Sequence, residues 1–308
     1  MSTTPMIIIK PLAIVDAMLV SCNVPENDHA VYSAVTNYTV GTRCIVTAGD
    51  VHKIYESIYA GSNVGHDPTL PASSSYWKAV SATNRYKCFD TSSSTQTVQA
   101  GSISYRIKPG QVINGIFIAN CKADSVRIRV IDPVDGSVYD ETTSLAGKLR
   151  RASFYDWFFS RSRPKTMLLA LDLPPYYAAD ILIDITAASG NVAVGVLALG
   201  YQQRLGIGVK YGLQGGITDY STKKTNEYGD VVFNVLGYSD ELSFVAVCEN
   251  AELDDFKDQL VELRATPIVV IASELYRCTV IFGWLGEWRP LIPYPTESEY
   301  SITMKGLT

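Results

Sequence analysis

The sequence predicts a mostly β protein, and three observations carry that reading. Nineteen Tyr, 22 Gly and 14 Pro accompany many Val, Ile and Thr, a mixture suited to strands and tight turns. Short runs alternate apolar and polar residues, while one segment alone repeats apolar residues with helical spacing. No 30-residue alternation of strand and helix occurs, which removes doubly wound and barrel α/β architectures. The expected layout is a small N-terminal β module, a central antiparallel β-sandwich of jelly-roll-like type, and a C-terminal β-rich or α+β domain with one amphipathic helix. With 308 residues, 47% of them apolar and 19% charged, the chain has material for two or three cores and too little charge for disorder.

Residues 1–27 read as an arm: the apolar stretch IIIKPLAIVDAMLV, then SCNVPEND, where Pro25 and Asn27 close it as a loop. Such an arm either adds to a neighbour's sheet or folds back on its own domain, since both use the same backbone groups. Residues 28–90 form the small module, with Tyr38, Ile45, Val46, Tyr55, Tyr59, Tyr76 and Trp77 separated by bends at Gly41, Gly61 and Gly65. The polar run DTSSSTQTVQAG from Asp90 marks a seam.

Residues 91–205 carry the sandwich. In SVRIRVID, Val126, Ile128 and Val130 share one face and Arg127 and Arg129 the other, and DPVDG turns the chain into SVYDE as a hairpin. MLLALDL, DILIDIT, a turn at ASGN and VAVGVLALGY supply further strands. Residues 206–308 add VVFNVLGY, LSFVAVC, PIVVIAS, YRCTVIFGW and SITMKGL as strands. Between them ENAELDDFKDQLVELRATP predicts a helix near 250–264, with Leu253, Phe256, Leu260 and Leu263 on the core face and Pro267 as the stop.

Composition also bounds function. Asp plus Glu outnumber Lys plus Arg by 31 to 26, so no basic field is expected to draw nucleic acid. Cys22, Cys44, Cys88, Cys121, Cys248 and Cys278 lie far apart without a C-x-x-C pair, which reads as free, mostly buried thiols. Lys10, Pro11 and Asp16 break the apolar start, arguing against a signal peptide, and no run reaches the ~18 apolar residues of a spanning helix. The expectation is a soluble protein made in a reducing cytosol.

Signatures of nucleophile elbows, zincins, EF-hands and P-loops are absent. His29, His52 and His66 read as surface or turn residues. Gly206, Gly208 and Gly212 precede no helix that would hold a phosphate, so turns and close packing account for them. Asp132 and Asp135 sit in a turn that favours Asp for backbone hydrogen bonding, and Asn37-Tyr38-Thr39 is a sequon without a secretory route. No catalytic residue, cofactor or metal ligand is assigned, and the chain is expected not to be an enzyme. Aromatic rings stack on sugars and anchor interfaces, although a module of about fifty residues more often uses them to build its core. Tyr32, Tyr55 and Trp77 are therefore the candidate glycan or partner contacts.

The runs YTVGTRCIV (38–46) and IYESIYAGSNVGHDP (54–68), with Tyr76 and Trp77, resemble the small chitin- and cellulose-binding type of carbohydrate-binding module. ATNRYKCFD (82–90), GITDYSTKKT (216–225) and the closing YPTESEYSITMKGLT resemble structural proteins of tailed-bacteriophage tails. That second resemblance implies a non-catalytic virion subunit at the tail tip, baseplate or collar/adaptor. Its implied partners are copies of itself and other tail proteins, with host surface glycan as the alternative contact.

Overall fold

The computed structural model describes residues 5–92, 94–147, 153–159, 164–225 and 229–307. The protein is mostly β, built on antiparallel sheets, and its chain divides into two compact units. One contains Ala13–Ile113 and Phe117–Ala198; the other contains the described residues through Leu12, Asn114–Ile116 and those from Leu199 onward. Residues 28–90 and the sandwich strands thus share a unit.

In the first unit the strand Asp180–Leu205 begins between Thr97–Ile107 on one side and Ser125–Asp132 on the other. The registers stack three buried rows across these strands: Ile107–Ile181–Val130, Tyr105–Ile183–Ile128 and Ile103–Ile185–Val126. This period-2 pattern is what makes the alternation legible, because a one-residue slip would turn every Ile to solvent. The 125–132 strand continues through its turn into Gly136–Ser144, completing the expected hairpin. Asp132 Oδ2 accepts from the backbone N–H groups of Val134 at 2.9 Å and Asp135 at 3.2 Å, the turn role its position suggested.

The turn expected at ASGN is not a reversal. The residues Asp180–Leu205 form one strand of 26 residues. Its register jumps from Thr186 to Asn191 while the partner moves only from Ser102 to Ala100, leaving four residues opposite Gly101. Gly190 and Gly101 both take positive φ, 80° and 75°, and both lie in this unpaired stretch, so a glycine on each strand helps the chain absorb a bulge where turn chemistry had signalled a hairpin. The small module is a three-stranded antiparallel sheet of Arg43–Val46, Lys53–Ser57 and Trp77–Ala82.

In the second unit Met6–Pro11 is no free arm. It pairs antiparallel with Gly200–Leu205 on one side and with Ile268–Ile271 on the other. Met6, Ile7, Ile8 and Ile9 are all at most 1% exposed, as expected of a central strand buried on both faces. From Ile268–Ile271 the sheet continues through Val280–Leu291 and Glu297–Gly306 to Tyr238–Glu249. The predicted helix is present as Leu253–Glu262, with Phe256, Leu260 and the following Leu263 buried against Tyr300, Ile302 and Met304. Gly206 lets the chain pass close to this sheet: at φ 70°, a Cβ there would lie 2.5 Å from the Val247 carbonyl oxygen. Among the described residues no helix is long and apolar enough to cross a membrane.

Candidate functional site

Tyr32, Tyr55 and Trp77 do come together, around the core of the small module. Trp77 is 5% exposed, sits edge-on to Tyr38 with ring centroids 5.0 Å apart, and donates Nε1–H to the His66 carbonyl at 2.8 Å. Tyr32 stacks on Tyr38 at 5.8 Å, and Tyr32 and Tyr55 are half-buried against the same cluster. Burial, and then the nearby Asp67 charge, push both phenols up. The indole therefore leaves no open face for a ring to stack on.

The module's outward aromatic surface consists of other residues. His66 stacks on Tyr76 with centroids 3.6 Å apart and planes 14° from parallel, and Tyr59 leans on Tyr76 at 4.6 Å. Tyr59 is exposed; Tyr76 and His66 are half-exposed. Tyr76, just before the strand that begins at Trp77, packs partly on the same Tyr38–Cys44–Trp77 cluster, so only part of its ring looks outward.

His52 corrects a second expectation. It is a buried residue, 6% exposed, rather than a surface or turn histidine. Its Nδ1 lies 2.7 Å from Glu26 Oε1, and its Nε2 is 3.7 Å from Asp16 Oδ1. Glu26 also accepts from Thr83 Oγ1 at 2.7 Å and Arg85 Nη1 at 3.1 Å, while Tyr86 donates its hydroxyl to Asp16 at 2.5 Å. The network ties the segment 16–26 to residues 52 and 83–86. Glu26 meets three of these groups at once, an arrangement suited to holding the chain together, while the buried His52 Nε2 has no hydrogen-bond partner among the described residues. Tyr86 also lines an open cleft of about 610 Å³ with Tyr55, Ser81, Phe89 and Asp90; His52 does not. Asp90 there is pushed up by burial and accepts from Thr95 Oγ1 at 2.7 Å and Ser92 N–H at 2.8 Å. Among the described residues no cluster of His, Cys, Asp or Glu is arranged to hold a metal ion.

The most unusual surface is a ribbon in the second unit. Gln214–Asp219 pairs with Tyr238–Ser243, and Thr222–Thr225 pairs with Val231–Asn234. Bonds from Tyr220 N–H to the Gly237 carbonyl and from Leu236 N–H to Ser221 Oγ join the two ladders. Every residue of Gln214–Asp219, Thr222–Thr225 and Val231–Asn234 is exposed. Val231, Val232 and Phe233 leave 50%, 58% and 63% of their surface open, and Val235 leaves 81%. The two outer edges differ. One presents Lys223 and Lys224, charges that discourage strand pairing; the other presents Val-Val-Phe-Asn with none.

Comparisons with protein-family models, with curated proteins and with solved structures match none of them to this chain.

Proposed function

We propose that the protein is a structural subunit of a bacteriophage tail, at the tip, baseplate or collar/adaptor, working as repeated copies around the tail axis. The observation that carries the assembly part of this reading is the bare Val231–Asn234 edge of the exposed ribbon. A two-stranded ribbon is marginal in water by itself, and an uncharged apolar edge is a template for another strand. Pairing with a neighbouring copy covers that edge, and a head-to-tail contact of this kind closes into a ring. The setting in a tail rests on the resemblance of residues 82–90, 216–225 and the closing segment. Electron microscopy of the purified protein tests the assembly, with rings expected and a monomer at all concentrations against it. Immunogold labelling of virions from the source tests the setting, with label expected on the tail and unlabelled particles against it.

A second reading, a virion protein contacting host surface glycans, is favoured by the Tyr59–Tyr76–His66 stack, since an exposed ring stack offers a sugar its apolar face. A glycan array with the Tyr76→Ala variant as control tests it, and absence of any binding removes it.

A further inference from the structure

The cleft of about 610 Å³ at Tyr86 is open for a reason visible in the strand pairing. Along Lys53–Ser57, Lys53 stands opposite Ala82 and Tyr55 opposite Ala79, and the register slips between them so that Val80 is skipped. Large side chains on one strand therefore face small ones on the next, and Ala48, Gly49 and Ser81 add little bulk to the lining. Ile14 and Tyr86, both buried, close it from within. Backbone bonds fix its frame. Asp16 N–H donates to the Asp50 carbonyl at 2.7 Å, Thr83 N–H to the His52 carbonyl at 3.1 Å and Phe89 N–H to the Tyr86 carbonyl at 3.0 Å. The space is thus preformed, and its volume lies in the range of small-molecule sites.

Its lining identifies the class of ligand. Lys53, Asp50 and Asp90 meet there with the rings of Tyr55, Tyr86 and Phe89. Elsewhere in the module Arg43 pairs with Glu56 at 2.7 Å and Arg85 with Glu26 at 3.1 Å. Lys53 and Asp50 are exposed and, among the described residues, make no ion pair. Asp90 is half-buried and is held in place by Ser92 N–H at 2.8 Å and Thr95 Oγ1 at 2.7 Å. Two carboxylates and one ammonium give the lining a net charge of −1, one positive minus two negative. A plain anion meets two like charges here, and a plain amine meets Lys53. A molecule with both signs answers all three groups. Its cationic end lies at the carboxylates and the rings, which attract a methylated ammonium, and its anionic end lies at Lys53.

We propose that this cleft binds a small zwitterion of the phosphocholine type, a quaternary ammonium joined to a phosphate. The test is isothermal titration calorimetry of the full-length protein at low salt with phosphocholine, choline and inorganic phosphate as probes. Phosphocholine is expected to bind roughly tenfold or more tightly than either fragment, since each fragment forfeits one charge contact. Lys53→Gln should bring phosphocholine down to the affinity of choline, Asp50→Asn should weaken it by a similar factor, and Ala79→Trp, which fills the cleft, should abolish binding. All three positions are exposed, so the variants should keep the wild-type melting curve. Vesicles of phosphatidylcholine distinguish the sources of the ligand: displacement of bound phosphocholine marks a lipid headgroup, and no displacement marks a soluble or polymer-borne ester. No heat with any probe, equal affinities for phosphocholine and choline, or variants that bind as the wild type does overturns the proposal. The site uses no residue of the ribbon, so failure of ring assembly and failure of ligand binding read out separately.

Discussion

Phe256 stacks on Tyr300 with 4.5 Å between ring centroids and 16° between their planes, and the Tyr300 hydroxyl donates to the Leu253 carbonyl at 2.8 Å. One tyrosine on the sheet therefore holds the helix twice, through its ring and through its oxygen. Phe256→Asp removes the stack and puts a carboxylate into a site 3% exposed with no cation to meet it. A loss of about 4 kcal/mol or more is expected, the scale of emptying a buried aromatic site. Thermal unfolding should show the transition of the C-terminal unit moving down; an unchanged curve would show that the helix packs otherwise.

Glu26 is the carboxylate on which His52, Thr83 and Arg85 converge. Glu26→Ala strands three donors at once in a largely buried setting and should cost about 3 kcal/mol, whereas Glu26→Gln keeps an acceptor and should cost less. Urea midpoints of the two variants give the comparison. Equal and small effects would mean that the network contributes little to tying residues 16–26 to the module.

The parts of this fold legible in the sequence are those whose apolar pattern has one reading. Val126, Ile128 and Val130 alternate, and Phe256, Leu260 and Leu263 repeat with helical spacing; each went where its period pointed. Met6–Ile9 was ambiguous because a continuous apolar run does not say which strands will cover it. Its neighbours come from residues 200–205 and 268–271, far along the chain. Gly190 reads as a turn because a glycine at positive φ serves a bulge as well as a turn, and only the resumed pairing of Asn191 with Ala100 on the same partner strand decides which. The candidate site divides the same way. Aromatic content located the module, but composition does not sort the buried Trp77 from the exposed Tyr59, and nothing local foretold that His52 would be enclosed by Asp16 and Glu26.

Phe233→Lys places a charge on the bare edge strand of the ribbon, next to positions that are already exposed, so the fold should keep its stability within about 0.5 kcal/mol. Self-assembly should fall sharply, because an edge lysine opposes strand addition. Lys223→Val, on the other edge, should widen assembly toward open aggregates. Analytical ultracentrifugation of both variants decides: a Phe233→Lys protein that assembles as well as the wild type would remove this edge from the joint.

The buried thiols set an alkaline limit. Burial pushes Cys88 and Cys121 up to about 12 from the ordinary 9.0 of a free thiol. The folded state therefore holds these protons more tightly than the unfolded chain, and their contribution to stability is complete below pH 9 and disappears as pH rises from 9 toward 12. At pH 10, one unit above the unfolded value, each site should already have cost on the order of 1 kcal/mol. Both lie in the unit of residues 13–113 and 117–198, so its urea midpoint should drop between pH 8 and pH 10. Replacing both by Ala should flatten that dependence while lowering stability at pH 8. In the native protein at pH 8 a thiol reagent should modify exposed Cys278 first and reach Cys88 and Cys121 only on unfolding. A midpoint that rises with pH, or rapid native labelling of Cys121, would contradict the enclosed, neutral state of these side chains.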